Sequence, residues 1–311
     1  MKYVDPTGEK WWHWLAAELL TGGMVSIATA TAVGTAITAS ADALNSASTS
    51  GTIGFISGFF STGSNRWGAA WDEGSNRAIN SIKIYGGIFA TDPNKTTEGR
   101  AWEFLSRFYW QAPQVTGGYN AAQFTNLFSH TNWVKYKYGA TVTNSNVSWI
   151  GFTLSSYING NNTIEADANN KLFQHEYGHY LQSQASGWGY IPRYAIPSVR
   201  SEHGNYKNIY KSHDWHPVEQ DANRRAFLYF NENVDGFYDK NPYDNHGWNF
   251  SENPININGD FQRINVDFHN KNDMLLLDKL TVKAKWYDVV GGALVVPGVI
   301  IGYINGYNYN N

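Results

Sequence analysis

The chain lacks cysteine altogether, which excludes disulfide bonds and metal sites built from thiolates. Any metal ion must therefore be held by imidazole and carboxylate groups, a set of ligands that suits zinc. Charged residues are also scarce, at 16% of the 311 residues, and the net charge of -3 comes without a basic cluster. This charge distribution argues against binding to the phosphate backbone of a nucleic acid. Aromatic residues, at 16%, supply large side chains for a hydrophobic core.

No secretory signal peptide is recognisable at the N-terminus. The first apolar stretch starts late and follows the acidic residues Asp5 and Glu9 and a group of tryptophans. We therefore expect the chain to be a fragment of a longer protein.

A long uncharged segment, residues 19–41, is rich in Ala, Gly and Thr and has the length of a membrane span. Strongly apolar residues are sparse in it, and a second, weakly apolar patch follows at Ile53–Phe60. The favoured interpretation is a Gly/Ala-rich helical segment over 13–100 that packs as a hairpin. Insertion of residues 19–60 into a membrane is the alternative.

The rest of the chain predicts an α+β fold with a small mixed sheet and two main helices. Apolar spacing within 101–128 indicates a helix that ends near Pro113. The composition of Val134–Ile158 indicates two or three short strands, and that of Asn159–Asn162 indicates a turn.

The two main helices have clear end signals. The first, over Ala168–Ser186, can be capped by Asp167 or Asn169 and ended by Gly187. The second starts at Pro217, which suits a first helical turn, and runs to Asn231. The remaining segments are a polar, mixed stretch at 61–100, predicted loops at 187–213 and 232–260, predicted strands at 261–286 and a predicted buried segment at 289–302.

The first main helix carries the run His175-Glu-Tyr-Gly-His179. Because the two histidines are four residues apart, a helix places both imidazoles on one face, where they can bind one metal ion. Glu176 lies beside that face, where a general base can take a proton from a water molecule that the metal activates. The run therefore predicts a zinc peptidase site, and a pair of surface histidines without a metal is the alternative.

A zinc site of this kind needs a third ligand and an open fourth position. The tight metzincin spacing would require glycine and histidine where the chain has Gln182 and Ala185, so that class is excluded. The favoured third ligand is Glu219 on the second main helix, where Ala222 and Ala226 would permit a close approach to the first.

Other side chains near the motif are candidates for supporting the site. Asn223 or Asp221 can hold a ligand imidazole by its free N–H. Further candidates for positioning a ligand or stabilising a transition state precede or open the second main helix: His203, Tyr206, Tyr210, His213, Asp214 and His216.

The opening residues Tyr3-Val-Asp-Pro-Thr-Gly8 resemble the Asp-Pro-x-Gly sequence that ends the shared shell of Rhs/YD-repeat proteins. In that family a variable C-terminal toxin follows the motif directly. The resemblance covers residues 1–12 and implies a toxin module that is delivered into a recipient cell, often through a type VI secretion system. It also implies a cognate immunity protein.

Residues 172–223 resemble the zincins that use a glutamate as third ligand, and the Glu-x-x-Ala-Asn pattern at 219–223 is similar to that of ImmA/IrrE-type peptidases. This resemblance implies a zincin-like metallopeptidase domain over 101–311. It implies His175, His179 and Glu219 as zinc ligands and Glu176 as the base. The spacer between His179 and Glu219 is longer than in many such enzymes.

These features lead to three hypotheses about function. The leading one is a zinc-dependent endopeptidase toxin that hydrolyses a protein or peptide in a target cell. The alternative is a membrane-perturbing toxin that acts through residues 19–60 and uses the zincin part as a scaffold. The third is a non-catalytic module whose zinc site is closed by a fourth ligand, such as His203 or His216.

Overall fold

The protein has an α+β fold, with seven α-helices and a four-stranded mixed sheet in the part of the chain that is described. A computed structural model describes residues 32–61, 63–108, 110–148, 151–202, 213, 216–237, 256–257 and 260–261. The Asp-Pro-Thr-Gly opening, the predicted strands after residue 261 and the predicted buried segment at 289–302 lie outside these residues.

The chain forms two compact units, and each is assembled from two separate stretches. Unit 1 consists of residues 1–95 and 115–166, and unit 2 consists of residues 96–114 and 167–311. The sequence pattern suggested boundaries after residues 12 and 100, because composition alone does not reveal that a later stretch such as 115–166 belongs with an earlier one.

Unit 1 contains a helical hairpin made of α1 (Ala32–Ser61) and α2 (Arg66–Gly86). The side of α1 that packs on α2 is built from small residues at helical spacing: Ala43, Ala47, Ser50, Gly54 and Gly58. A Cβ atom on Gly54 would lie 2.7 Å from the carbonyl oxygen of Glu73, so only glycine permits this approach. Among the helices of the described ranges, none is long and apolar enough to cross a membrane.

Unit 1 also contains the sheet, in the strand order β1-β2-β4-β3. Strands β2 and β4 are parallel, and the other two pairs are antiparallel. The turn between β1 and β2 has positive φ at Tyr138 and Gly139, as tight hairpin turns require. The four strands are β1 (Thr131–Lys137), β2 (Ala140–Ser145), β3 (Gly151–Leu154) and β4 (Tyr157–Gly160).

The turn predicted at residues 159–162 begins too early, since Asn159 and Gly160 belong to β4. Asn159 is buried, and its Oδ1 accepts a hydrogen bond of 2.9 Å from the hydroxyl of Thr143 on β2. Asn159 and the residues after it have the composition of a turn. The partner that satisfies the buried Asn159 side chain, Thr143, lies 16 residues away in the sequence and is not visible in that composition.

Unit 2 is mainly helical. Its first helix, α3 (Thr97–Ser106), ends before the position predicted. The next helix, α4 (Ala112–Phe128), has Pro113 in its first turn, and its residues from Val115 onwards belong to unit 1. Pro113 therefore opens a helix and does not end one, because an N–H group in a first helical turn has no acceptor to lose.

The loop predicted at 187–213 is largely helical over its first half. A 3₁₀ turn (Gly187–Gly189) and a π-helical turn (Ile191–Ala195) lead into α6 (Ile196–Glu202). Pro192 and Pro197 suggested a loop, yet both occupy the first turn of a helical segment, where proline is tolerated.

The two predicted main helices are present as α5 (Lys171–Ser186) and α7 (Pro217–Asn233). The N-cap of α5 is Asn170, whose side chain accepts a hydrogen bond from the N–H of Phe173, so neither Asp167 nor Asn169 has this role. Gly187 ends the helix with a φ of +52°, as predicted.

Helix α5 is buried along almost its whole length, and polar contacts hold the side that faces α3. The Tyr180 hydroxyl donates a hydrogen bond to Glu103, which also forms an ion pair with Arg107. The Trp110 indole donates to the carbonyl of Gln184 over 3.0 Å. Because every one of these groups is buried, they fix the position and rotation of α5.

The opposite side of α5 packs closely against α7. Gly178 faces the backbone of Ala222, and a Cβ atom at position 178 would overlap its carbonyl group and lie 2.9 Å from its Cα. Aromatic contacts extend this packing, with the rings of Tyr177 and Phe230 at 5.0 Å. The small residues therefore set the separation of the two helices, as the alanines of α7 suggested.

We expect Gly178→Ala to destabilise the protein by about 1–3 kcal/mol, because the added methyl group must push α7 away from α5. Thermal unfolding measures this effect. Gly63→Ala is the control, because a Cβ atom there has no neighbour within 4 Å; equal stability of the two variants would contradict the close packing at Gly178.

Candidate metal centre

Three side chains of unit 2 converge in a group that could hold a metal ion: His175 and His179 from α5, and Glu219 from α7. The two imidazole rings lie on one face of α5 with their centroids 4.9 Å apart. Glu219 reaches this face from the first turn of α7. Its Oε2 atom lies 3.3 Å from Nε2 of His175 and 3.0 Å from Nε2 of His179.

These separations fit the ligand shell of a tetrahedral metal ion. Bonds of about 2.0–2.1 Å to a tetrahedral centre place neighbouring ligand atoms about 3.3 Å apart. The second carboxylate oxygen of Glu219, Oε1, is buried and has no hydrogen-bond partner among the described residues. A buried carboxylate is unfavourable unless a charge compensates it, and a cation held by these three groups would do so.

The remaining nitrogen of each imidazole is held by a side-chain amide. Nδ1 of His175 lies 2.8 Å from Oδ1 of Asn223, and Nδ1 of His179 lies 2.9 Å from Oε1 of Gln182. Both amide oxygens are acceptors, so each Nδ1 carries a proton. The lone pair of each neutral imidazole is then on Nε2, the atom that faces Glu219.

Gln182 also links His179 to a second carboxylate. Its amide nitrogen donates to Oδ2 of Asp221 and to the carbonyl of Val218, each over 2.8 Å. Asp221 in turn accepts a hydrogen bond of 2.9 Å from Arg225. The amide group of Gln182 is thereby fixed in one orientation, with its oxygen towards His179.

We expect Gln182→Met to weaken zinc binding by about 10- to 100-fold, because His179 loses the acceptor that fixes its ring and tautomer. A competition titration with a coloured chelator measures this affinity. Gln174→Met is a matched control, since Gln174 is a buried glutamine of the same helix whose amide nitrogen donates to the Ala168 carbonyl. Equal zinc affinities in the two variants would show that the Gln182 contact is dispensable.

The charges of the centre shift the pKa values of its members in the metal-free protein. Burial alone would lower the pKa of His175, but its hydrogen bond to Glu219 and the charge of that carboxylate raise it to about 9. Burial likewise opposes the charge on His179, and Glu219 raises its pKa. Burial would raise the pKa of Glu219, but His213, His179 and His175 together hold it well below its usual value.

These shifts predict a pH-dependent effect of zinc on stability. A raised histidine pKa stabilises the metal-free protein fully below about pH 6.5. That contribution is lost as the pH rises through about 9, the pKa of His175 in the folded protein. Protons also compete with zinc for the same nitrogen atoms. We therefore expect the increase in Tm on adding zinc to grow between pH 6.5 and pH 9, as measured by thermal melts; an increase independent of pH would contradict this.

Glu176 is buried, with 4% of its surface exposed, and lies at the centre. Burial raises the pKa of the Tyr190 hydroxyl, and the charge of Glu176 adds to this effect. The same charge adds to that of Glu219 in raising the pKa of His175 and His179. The carboxylate is therefore near the ligands without belonging to the group of three, as its place in the motif predicted.

His213 approaches the centre from the segment before α7. Its Nε2 atom is 3.8 Å from Oε2 of Glu219, and its Nδ1 atom is 2.5 Å from the hydroxyl of Ser201. His213 is thus an imidazole beside the ligand group, in reach of a molecule bound there.

The other predicted supporting residues have different outcomes. Asn223 contacts His175 directly, whereas Asp221 acts on His179 only through Gln182. His216 caps α7, because its Nδ1 atom accepts the N–H of Val218 over 3.2 Å, and burial lowers its pKa. Four candidates lie outside the described residues: His203, Tyr206, Tyr210 and Asp214.

Sequence reasoning missed the contribution of Gln182, Ser201 and Arg225. The spacing offered one signal for Gln182, since a residue three positions after His179 lies next to it on a helix. The partners of Ser201 and Arg225 depend on how α6 and α7 are placed, which no local pattern reveals.

Comparison of the chain with models of protein families, with curated proteins and with solved structures found no match. The interpretation of the centre therefore depends on its own geometry and chemistry.

Proposed function

We propose that the protein is a zinc-dependent endopeptidase with a zincin-like active site. The observation that carries this proposal is the convergence of His175, His179 and Glu219, with Glu176 beside them in a His-Glu-x-x-His helix. Two imidazoles and a carboxylate form the ligand set of zinc enzymes that hydrolyse peptide bonds.

Each side chain of the centre then has a distinct role. A bound zinc ion would lower the pKa of a water molecule and polarise the carbonyl group of the substrate. Glu176 accepts the proton of the attacking water and passes it to the leaving amine. His213 can donate a hydrogen bond to the oxygen that becomes negatively charged, because its ring lies next to the ligand group and is held by Ser201.

The ligand group favours a catalytic centre over a structural one. Structural zinc sites have four protein ligands, whereas catalytic sites have three and leave one position for water or substrate. Within the described ranges the group has three members. His216, a candidate fourth ligand, uses its Nδ1 atom to cap α7.

The biological setting that we propose is that of a delivered toxin. It rests on the resemblance of Tyr3–Gly8 to the end of the Rhs/YD-repeat shell. In that setting, delivery through a type VI secretion system brings the peptidase into a recipient cell, and an immunity protein protects the producer. The proposed substrate is a protein or peptide of the recipient cell.

Digestion of a peptide library tests the proposed activity. The full chain is loaded with zinc and incubated with peptides from a digested bacterial proteome, and new termini are identified by mass spectrometry. We expect new termini that disappear on chelation and return when zinc is restored. A correctly folded, zinc-loaded protein that cleaves neither these peptides nor intact bacterial proteins would contradict the proposal.

A further inference from the structure

The α1–α2 hairpin of unit 1 exposes large aromatic side chains near the end where the two helices are joined. Phe60 is 78% exposed, Trp71 is 68% exposed and Trp67 is 65% exposed. Rings of this size are usually buried in large part, and a group of them on the surface marks a site of contact with a partner or a membrane.

The exposed rings form one continuous surface with two partly buried ones. Phe59 lies 5.1 Å from Trp67 and 5.5 Å from Phe60, as measured between ring centroids. Phe55 lies 5.6 Å from Trp71 and 6.1 Å from Trp67, which joins the rings into one group. We call these five residues the aromatic tip. Their mutual packing holds the rings in place, so that little side-chain entropy is lost when the surface is covered.

The charge around the aromatic tip indicates what covers it. Between Asp42 and Asp72 the sequence contains a single charged residue, the exposed Arg66 next to Trp67, and the exposed Asp72 directly follows Trp71. Arg66 can contact lipid phosphates, whereas Asp72 must stay on the water side of them. Tryptophan is also the residue that most favours the boundary between water and lipid, because its ring is apolar and its N–H is polar.

We propose that the aromatic tip inserts into the interfacial region of a lipid bilayer. The rings enter the boundary between headgroups and acyl chains, while Arg66 contacts lipid phosphates. This contact is peripheral and needs no membrane-spanning helix. It is also independent of the proposed peptidase activity, because all five residues belong to unit 1 and the metal centre belongs to unit 2.

Sedimentation of the full chain with lipid vesicles tests this proposal. The vesicles consist of phosphatidylcholine with a minor share of phosphatidylglycerol. The double variant Trp67→Ser, Trp71→Ser should lower the partition coefficient by at least about tenfold, because binding scales with the apolar area that enters the bilayer. Both substituted side chains are exposed, and circular dichroism checks that the variant folds.

The double variant Phe124→Ser, Phe128→Ser is the matched control. These two rings of α4 are also exposed, at 41% and 61%, and contact each other, but they lie outside the aromatic tip. We expect this variant to bind vesicles as the wild type does. Glu176→Gln should also bind normally, so a failure of the peptidase proposal would leave this result unchanged.

Four outcomes would overturn the proposal. The first two are no binding of the wild type and equal loss in both double variants. The third is binding that disappears in about 0.5 M salt, which would assign binding to surface charges, since salt screens these and does not weaken apolar insertion. The fourth is a wild-type dimer that dissociates only in the tryptophan variant, without a change in vesicle binding, which would assign the tip to a second copy of the chain.

Discussion

Replacing Glu176 by glutamine is expected to reduce peptide hydrolysis by about 10²- to 10⁴-fold, the usual contribution of a general base. Glutamine has nearly the same shape but accepts no proton at neutral pH, so the attacking water is no longer activated. Zinc should remain bound, because Glu176 is not a member of the ligand group. The change therefore separates the chemical step from metal binding.

The first measurement is kcat/KM on a peptide identified in the library digestion. The second is the zinc content of the variant, measured by elemental mass spectrometry. Glu165→Gln is the control, because Glu165 is an exposed glutamate of unit 1 with 56% of its side chain accessible. A Glu176→Gln variant with full activity would eliminate the proposed mechanism, whereas one that loses zinc would show that Glu176 takes part in metal binding.

Removal of the proposed third ligand is expected to have the largest effect on zinc affinity. Glu219→Ala leaves two imidazoles and removes the carboxylate ligand. A hydrogen-bond partner of a ligand can contribute about 100-fold to zinc affinity, and we expect a larger fall here. Without Glu219, burial is the main influence on the pKa of His175 and His179, and both pKa values should fall. The raised pKa of about 9 at His175 should therefore disappear.

A competition titration measures the zinc affinity, and nuclear magnetic resonance of the imidazoles measures the two pKa values. Glu232→Ala is a control on the same helix, since Glu232 is exposed. Zinc bound by Glu219→Ala as tightly as by the wild type would remove Glu219 from the centre and favour another carboxylate.

The shared face of the two histidines was predictable from sequence because its signal is local. His175 and His179 are four positions apart, and a helix converts that spacing into a shared face regardless of the rest of the fold. Glu219 was harder to assign, since only the packing of α7 on α5 brings it to the site. The alanines of α7 indicated this packing, and Gly178 on α5 completes it.

The features that were not predicted depend on partners distant in sequence. Helix α2 was covered only by the general expectation of a helical segment over 13–100, because its buried side is formed mainly by small and polar residues such as Ala70, Gly74 and Asn80. Asn159 was predicted to lie in a turn from its Asn/Gly-rich surroundings. Its partner Thr143 lies on another strand, so local sequence does not reveal the pairing. Gln182 has its role only because Asp221 is placed opposite it.

The measurement that tests the metal centre most directly is a crystal structure of the zinc-loaded chain with anomalous data collected at the zinc edge. We predict one zinc ion bound by Nε2 of His175, Nε2 of His179 and Glu219 at about 2.0–2.2 Å, with water in the remaining position. Zinc bound elsewhere, or held by four protein side chains at this centre, would contradict the account.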